Sequence, residues 1–145
     1  MQLADLTVKG FLDKTASNEP VPGGGSISAL NGAIASALAE MVANLTIGRK
    51  KYVEVEDIMK ELAPKFDALR ERMVQDIDRD SDAYNRVFDA FKLPKETDEE
   101  KELRKQAIQR ETIYAAQVPM EVARAVAGIL PAIATVARKG NQNAV

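Results

Sequence analysis

The sequence predicts an all-α protein, a bundle of long antiparallel helices. Only 5% of its 145 residues are aromatic, so the core must be built from Ala, Val, Ile, Leu and Met; few aromatics favour helices over strands. Apolar residues recur at spacings of three, four or seven over long stretches, as on one face of a helix. No alternating strand pattern interrupts them. The length is that of one domain, so residues 1–145 are expected to form a single helical domain.

The first half of the chain predicts two helices. A short one over about residues 5–15 ends in the polar, proline-containing run SNEPVP. After three glycines, the segment SISALNGAIASALAEMVANLTIG is apolar or small nearly all round, with Glu40 as its one charge. This composition predicts a buried helix at the centre of the molecule or at a subunit interface. The segment GRKKY then interrupts the pattern and predicts a basic loop.

The second half predicts two longer helices. Residues 53–91 show the periodicity of an amphipathic helix, which LPKETDEE ends. Thr97 and Glu100 fit a capping box that starts the last helix. That helix should bend or break at Pro119 and Pro131, because each lacks a backbone donor and clashes with the preceding turn.

The composition excludes several function classes. A formal net charge of −2 argues against nucleic acid or an anionic membrane as a partner. No apolar run is free of charge over a membrane-spanning length and no signal peptide is visible, so a cytoplasmic protein is expected. The chain has no Cys and no His, so no metal site is predicted. Acid–base chemistry must use Asp, Glu, Lys, Tyr or the substrate itself.

The most distinctive local pattern is PVPGGGS, residues 20–26. A Walker phosphate loop needs Lys and then Ser or Thr after its last glycine, and a dinucleotide fingerprint needs a preceding strand; neither is present. Glycines permit unusual backbone angles, Ser26 can cap the helix, and the free amides of a first turn carry partial positive charge. The loop is therefore a tight turn with a good N-cap, a site for a carboxylate, phosphate or polar heterocycle, or both.

The chain resembles the formiminotransferase-cyclodeaminase C-terminal domain family. The resemblance is carried by LTVKGFLDKTASNEPVPGGGSISALNGAIASALAEMVANLTIGRKKY, and in order by DRDSDAYNRVFDAFKLPK, AAQVPMEVA and the closing GNQNAV. The family comprises formiminotetrahydrofolate cyclodeaminases and methenyltetrahydrofolate cyclohydrolases. Family members continue past the G-N-x-N element, so the resemblance implies a chain that ends before the family's last helices.

The resemblance implies a tetrahydrofolate derivative as substrate and requires no cofactor. The first hypothesis is a cyclodeaminase of histidine degradation: N10 of the folate attacks the formimino carbon on N5, the 5,10-methenyl ring closes, and ammonia leaves. The alternative is a methenyltetrahydrofolate cyclohydrolase, in which water opens that ring to 10-formyltetrahydrofolate. A third hypothesis is a non-catalytic folate-binding or helical assembly module. We expect a homodimer in each case, because the Ala- and Ser-rich helix offers little polar surface to water.

Two residues are candidates for proton transfer. The resemblance places the family's motif aspartate at Asp80, within a run of four aspartates in DIDRDSD whose mutual repulsion favours a proton on one of them. The alternative is a row of solvated acids on the polar face of a helix. Lys51 is the second candidate; otherwise it complements the dipole at a helix C-terminus.

The same motifs provide the candidate substrate-binding residues. Arg49 supplies a cationic contact for the glutamate tail of a folate. Tyr84, one turn beyond Asp80, stacks on the pterin, donates a hydrogen bond to it, or belongs to the core. Asn44 either binds the pterin edge or caps a neighbouring helix. The full set is Gly23, Gly24, Gly25, Ser26, Asn44, Arg49, Tyr84, Asn141 and Asn143.

Overall fold

A computed structural model describes residues 2–145. This part of the chain contains helices and no strand, so the all-α prediction is confirmed. In order along the chain the elements are a 3-10 turn at Leu3–Asp5, α1 (Val8–Thr15), α2 (Gly24–Thr46), a 3-10 segment at Lys50–Val55, α3 (Glu56–Phe91) and α4 (Asp98–Lys139).

The long helices are divided between two compact units. Unit 1 contains the chain up to Ala29 together with Gln75–Val122, and unit 2 contains Leu30–Val74 together with Ala123–Val145. Each unit therefore packs its own part of α2, α3 and α4. The core of unit 2 is formed by Ala39, Val42, Ala43, Met59, Leu62, Phe66 and Val136.

One face of α2 is buried and consists mostly of small residues. Gly32 shows how closely it packs, because a Cβ there would lie 3.0 Å from the Met73 sulfur and 3.2 Å from Val126. The prediction of a buried helix is confirmed for this face only. The buried residues are Ser26, Ala29, Gly32, Ala33, Ser36, Ala39, Val42, Ala43 and Thr46. The other face exposes Ile34, Leu38, Met41 and Leu45.

The predicted helix starts differ from the observed ones in two places. Residues 3–5 form a separate 3-10 turn, so α1 begins only at Val8, where Thr7 accepts a hydrogen bond from the Gly10 amide at 3.0 Å. The basic loop and the first predicted residues of α3 instead form the 3-10 segment, so α3 begins at Glu56.

The start of α4 is as predicted, but its interior is not. Thr97 accepts a hydrogen bond from the Glu100 amide at 3.1 Å, and Glu100 accepts one from the Thr97 amide at 3.0 Å, which confirms the capping box. Of the expected bend or break at Pro119 and Pro131, the break is wrong, because α4 continues through both, and the bend stays a prediction. Proline has a φ close to the helical value, so each costs the helix a hydrogen bond without ending it.

Two helices, α2 and α4, are long and apolar enough to cross a membrane by length and composition alone. Length and composition of this kind are compatible with a few charges, such as Glu40 in α2, and are also found in the core helices of soluble proteins. The apolar stretch is 44% buried inside the protein in α2 and 11% buried in α4, and one or two such helices do not by themselves indicate a membrane protein. The result is therefore a weak indication of a membrane-spanning segment.

Candidate functional site

Most of the sequence-predicted residues fall into two groups, one in each unit, and Asn44 and Tyr84 lie outside both groups. The glycine-loop group lies in unit 1 and consists of residues 23–26 with Asp80. The basic cavity lies in unit 2 and is lined by Arg49, Lys50, Lys51, Tyr52, Asn141 and Asn143. Asp80 contacts the first turn of α2, whereas Lys51 follows its last turn. The two proton-transfer candidates thus adjoin different ends of a helix of 23 residues.

In the glycine-loop group, the carboxylate of Asp80 is bound to the first turn of α2. Its Oδ2 accepts a hydrogen bond from the Ser26 amide at 2.9 Å and lies 3.2 Å from the Ser26 hydroxyl. The same hydroxyl is 2.8 Å from the carbonyl oxygen of Ile77 and 3.0 Å from the Ser81 hydroxyl. No described residue hydrogen-bonds to Oδ1 of Asp80. One carboxylate oxygen is thus anchored and the other is available.

Gly25 is required where it stands because a side chain would collide with the Asp80 carboxylate. Gly24, by contrast, has nothing within 4 Å of the place where a Cβ would lie. A carboxylate is favourable at this position because the first-turn amides and the helix dipole attract negative charge. The anion that the start of α2 binds is therefore a side chain of the protein itself.

The prediction that Ser26 is the N-cap is wrong, because α2 already begins at Gly24. Ser26 is fully buried, and its polar atoms contact α3. Gly23 and Gly25 are half-buried and Gly24 is exposed, so a substrate can reach all three glycines of the loop but not Ser26. Their role in substrate binding stays a prediction.

Of the four aspartates in this run, Asp82 is exposed, and the other three are at least half-buried rather than a row of solvated acids. Asp76 is 2% exposed and accepts a hydrogen bond from Arg79 at 3.0 Å. Asp78 accepts hydrogen bonds from the backbone amides of residues 3 and 4 at 2.5 and 3.1 Å. Glu121 bonds to Arg79 on α3 at 2.5 Å and, with Asp76, raises the pKa of that arginine above its ordinary value.

Tyr84 lies one turn after Asp80 on α3. Its side chain is 38% exposed and packs against Phe88, with 5.1 Å between the ring centroids. It is therefore not a core residue, and its ring is open to a ligand. Its predicted contact with a pterin is not tested by this geometry.

The basic cavity, about 450 Å³ in volume, forms where the chain leaves α2. Gly48 has a φ of +74°, the left-handed conformation that glycine adopts without strain, and it turns the chain into the cationic segment. Among the lining residues three are cationic and none is acidic. Opposite charges attract, so this cavity favours an anionic ligand.

The GNQN loop at the end of the chain closes the other side of the basic cavity. The Asn141 amide donates to the Thr46 hydroxyl at 2.8 Å, and the Gln142 amide donates to the Tyr52 hydroxyl at 3.0 Å. The Asn141 side chain donates to the Leu45 carbonyl at 3.1 Å and accepts from the Asn143 amide at 3.1 Å. Asn141 thus holds the loop in place, whereas the Asn143 side chain is the amide available to a ligand.

Sequence reasoning missed Tyr52 and included Asn44, which belongs to neither group. Tyr52 lines the cavity, and the Lys51 ammonium lies 5.5 Å from its ring centroid. Its position directly after three cations was the available signal. Asn44 is exposed on α2 and is not among the lining residues.

Comparison with known proteins matches residues 7–145 to the family model described as Formiminotransferase-cyclodeaminase. The chain belongs to this family. A methenyltetrahydrofolate cyclohydrolase from Methylorubrum extorquens is 43% identical over 96% of this chain and 67% of its own length. The formimidoyltransferase-cyclodeaminase of Mus musculus is 34% identical over 96% of this chain and 26% of its own length.

A solved structure agrees with this membership. The crystal structure of a formiminotetrahydrofolate cyclodeaminase from Thermotoga maritima has a TM-score of 0.83 and 32% identity, over 99% of this chain and 67% of that one. The chain thus spans about a quarter of the bifunctional mouse relative and about two thirds of the other two. The resemblance found in the sequence is confirmed at the level of the formiminotransferase-cyclodeaminase family.

Proposed function

We propose that this chain binds a tetrahydrofolate derivative in the basic cavity and hydrolyses 5,10-methenyltetrahydrofolate to 10-formyltetrahydrofolate. One observation carries the proposal: three cations after α2 and the amide side chains of the GNQN loop line the same cavity. A hydrogen bond from Gln142 to Tyr52 joins these two segments, although they lie 90 positions apart in the chain. The cavity volume falls within the range of small-molecule sites, about 300–1,000 Å³. The 43% identical relative bears the name of this hydrolase.

The lining residues suit the chemical groups of a folate. Its glutamate tail carries carboxylates, which Arg49 binds through paired donors and Lys50 as a compact charge. Its pterin edge carries donors and acceptors that the free Asn143 amide can pair with. The cavity therefore offers a separate partner to each polar end of the substrate.

The proposed reaction needs proton transfer and no metal or redox cofactor. The oxygen of water bonds to the methenyl carbon, and the bond from that carbon to N5 breaks with its electron pair on N5. One proton of the water ends on N5, the second is released, and the formyl group stays on N10. A side chain that takes or supplies these protons typically contributes about 10²–10⁴-fold to the rate.

The absorbance of the methenyl chromophore tests the proposal directly. Loss of absorbance on mixing 5,10-methenyltetrahydrofolate with the protein supports hydrolysis, and an unchanged non-enzymatic rate overturns it. Lys51→Gln should lower turnover by about 10²-fold or more if Lys51 transfers the proton. Lys105→Gln removes the same charge from an exposed position on α4 and is the matched control.

Asp80 is tested separately, because it adjoins the other end of α2. Asp80→Asn keeps an oxygen that accepts from Ser26 but loses the ability to take a proton. If Asp80→Asn loses turnover while its denaturation midpoint is unchanged, Asp80 is catalytic. If turnover falls only as far as the loss of stability explains, Asp80 has an anchoring role alone. Asp82→Asn, at an exposed position two residues later, is the control.

Cyclodeamination is the second candidate function, favoured by the TM-score of 0.83 to a cyclodeaminase. In that reaction N10 bonds to the formimino carbon on N5 and ammonia leaves from that carbon. The same cavity can serve both reactions, because 5,10-methenyltetrahydrofolate is the product of cyclodeamination and the substrate of the hydrolysis. With 5-formiminotetrahydrofolate, appearance of the chromophore together with ammonia supports this function.

We also propose that the chain acts as a homodimer. The support is the exposed apolar row on α2, formed by Ile34, Leu38, Met41 and Leu45. Contiguous apolar surface of this kind is typical of an interaction site. The second copy is the proposed occupant.

A further inference from the structure

In the part of the chain that the structure describes, the ammonium group of Lys51 lies over an aromatic ring and forms no ion pair. It is 5.5 Å from the ring centroid of Tyr52, within the range of about 6 Å over which an aromatic face attracts a cation. Lys60 and Lys65 on α3, by contrast, pair with glutamates at 2.7 and 2.6 Å. The ring of Tyr52 is therefore the contact that orients the Lys51 ammonium group.

The ring of Tyr52 is itself held at both ends. The backbone amide of Tyr52 donates to the carbonyl oxygen of Arg49 at 2.8 Å, and its hydroxyl accepts from the Gln142 amide at 3.0 Å. The second bond joins positions 90 apart in the chain, so it ties the outer end of the side chain to a separate segment. A half-buried ring held in this way offers Lys51 a fixed surface.

The GNQN loop, which holds the Tyr52 hydroxyl, is anchored in turn to the end of α2. The backbone amide of Asn141 donates to the Thr46 hydroxyl at 2.8 Å. Thr46 is fully buried, and its hydroxyl donates to the carbonyl oxygen of Val42 at 2.6 Å. A series of contacts thus runs from the buried face of α2 through the loop and Tyr52 to Lys51.

We infer that Tyr52 is a positioning residue for Lys51, whose ammonium group it holds over its ring at the wall of the basic cavity. The inference rests on the proposed function, in which Lys51 transfers a proton. A free lysine side chain has many rotamers, and a group that transfers a proton must lie within hydrogen-bonding reach of its target. Orienting Lys51 beforehand therefore raises the fraction of molecules in which the geometry permits the reaction.

Steady-state kinetics with 5,10-methenyltetrahydrofolate separate this role from substrate binding. Tyr52→Leu removes the ring, so it should lower kcat by about tenfold or more while KM stays within about twofold of the wild-type value. Tyr52→Phe keeps the ring and loses only the bond to Gln142, so its kcat should fall less. An unchanged kcat in Tyr52→Leu overturns the inference.

The matched control removes a ring from a second pair of a cation and an aromatic side chain. The guanidinium carbon of Arg104 lies 5.6 Å from the ring centroid of Phe91, outside the basic cavity. Phe91→Leu should therefore leave both kcat and KM unchanged.

Kinetics in the Lys51→Gln background show whether Tyr52 acts through Lys51. If it does, Tyr52→Leu should cause no further loss of kcat in that background, because the group that it orients is absent. A loss of the same size in both backgrounds means that Tyr52 affects turnover by another route, and it overturns the inference. The denaturation midpoint of each variant confirms that folded proteins are compared.

A measurement without substrate keeps the inference testable if the proposed reaction fails. An aromatic ring shifts the NMR signals of protons above its face upfield, and in protein carrying isotope-labelled lysine the Lys51 signal is the one missing from Lys51→Gln. We expect it upfield in the wild type and in Tyr52→Phe, and at the position of an exposed lysine in Tyr52→Leu. An unshifted signal in the wild type overturns the positioning. A shifted signal in a protein that does not hydrolyse the methenyl substrate supports the positioning, while the proposed function fails.

Discussion

At the scale of single residues, Gly24 and Gly25 are neighbours whose surroundings differ. A Cβ at position 25 would collide with the Asp80 carboxylate, whereas one at position 24 would meet nothing within 4 Å. Gly25→Ala should lower the free energy of unfolding by about 1–3 kcal/mol, as overpacking does. Gly24→Ala should change it by less than about 1 kcal/mol, in the stabilising direction. Urea denaturation of both variants measures this, and equal midpoints would contradict the contact with Asp80.

Glu111 should make the stability of the protein depend on acid pH. Arg110 and, after it, Arg86 lower its pKa in the folded state below the ordinary value of 4.5, so folding favours its ionised form. Its contribution to stability is therefore complete above that value and is lost as the pH falls through the folded pKa. Glu111→Gln lacks this contribution at every pH.

The measurement is the difference in urea midpoint between wild type and Glu111→Gln, taken at neutral pH and at steps below 4.5. The wild type should be more stable at neutral pH, and the difference should shrink toward acid pH. Lysines four residues away also lower the pKa values of Glu56 and Glu61, so the wild type alone would not isolate Glu111. A difference independent of pH would refute the assignment.

At the scale of helices, replacing either of two glycines in the second half of the chain by alanine should change stability in opposite directions. Gly128 lies within α4 with nothing within 4 Å of a Cβ, so Gly128→Ala should stabilise the protein by about 0.5–1 kcal/mol. Gly140 follows α4, and a Cβ there would lie 2.7 Å from Val42. Gly140→Ala should therefore destabilise the protein and loosen the GNQN loop. Thermal unfolding distinguishes the two; a stabilising Gly140→Ala would show that the loop accommodates a side chain.

Helices were predictable because their signals are local. The capping box of Thr97 and Glu100 lies within four residues, and the amphipathic period of α3 repeats along its whole length. The separate turn at Leu3–Asp5 was not predictable, because its amides bind Asp78, more than 70 residues away. The break expected at Pro119 and Pro131 failed because a proline's local penalty does not outweigh the packing of a long helix.

At the scale of the whole molecule, the candidate site was predictable as a set of residues but not as a geometry. The sequence and its family resemblance singled out Arg49, Lys51, Asn141 and Asn143, which line one cavity. They did not reveal that Asn141 is used by the loop itself. The pairing of Arg86 with Glu111 was missed because the two residues lie on different helices.

The proposed dimer rests on apolar surface that a single chain leaves exposed. Leu38 is 54% exposed on α2 and also lines an apolar cavity of about 360 Å³ in unit 2. A second copy would bury this surface, at about 25 cal/mol for each Å² of apolar area. Light scattering should therefore give a mass near twice 15.8 kDa for the wild type. A monodisperse monomer would refute the dimer.

Two variants locate the interface. Leu38→Glu places a charge in the exposed apolar row of α2, and burying an unpaired charge is costly, so this variant should shift the protein toward the monomer. Leu103→Glu changes a residue that is 65% exposed on α4, outside that row, and should leave the mass unchanged. If both variants stay dimeric, the two copies meet elsewhere. If Leu38→Glu is monomeric and loses methenyl turnover while its helical content is retained, assembly through α2 is needed for the proposed reaction.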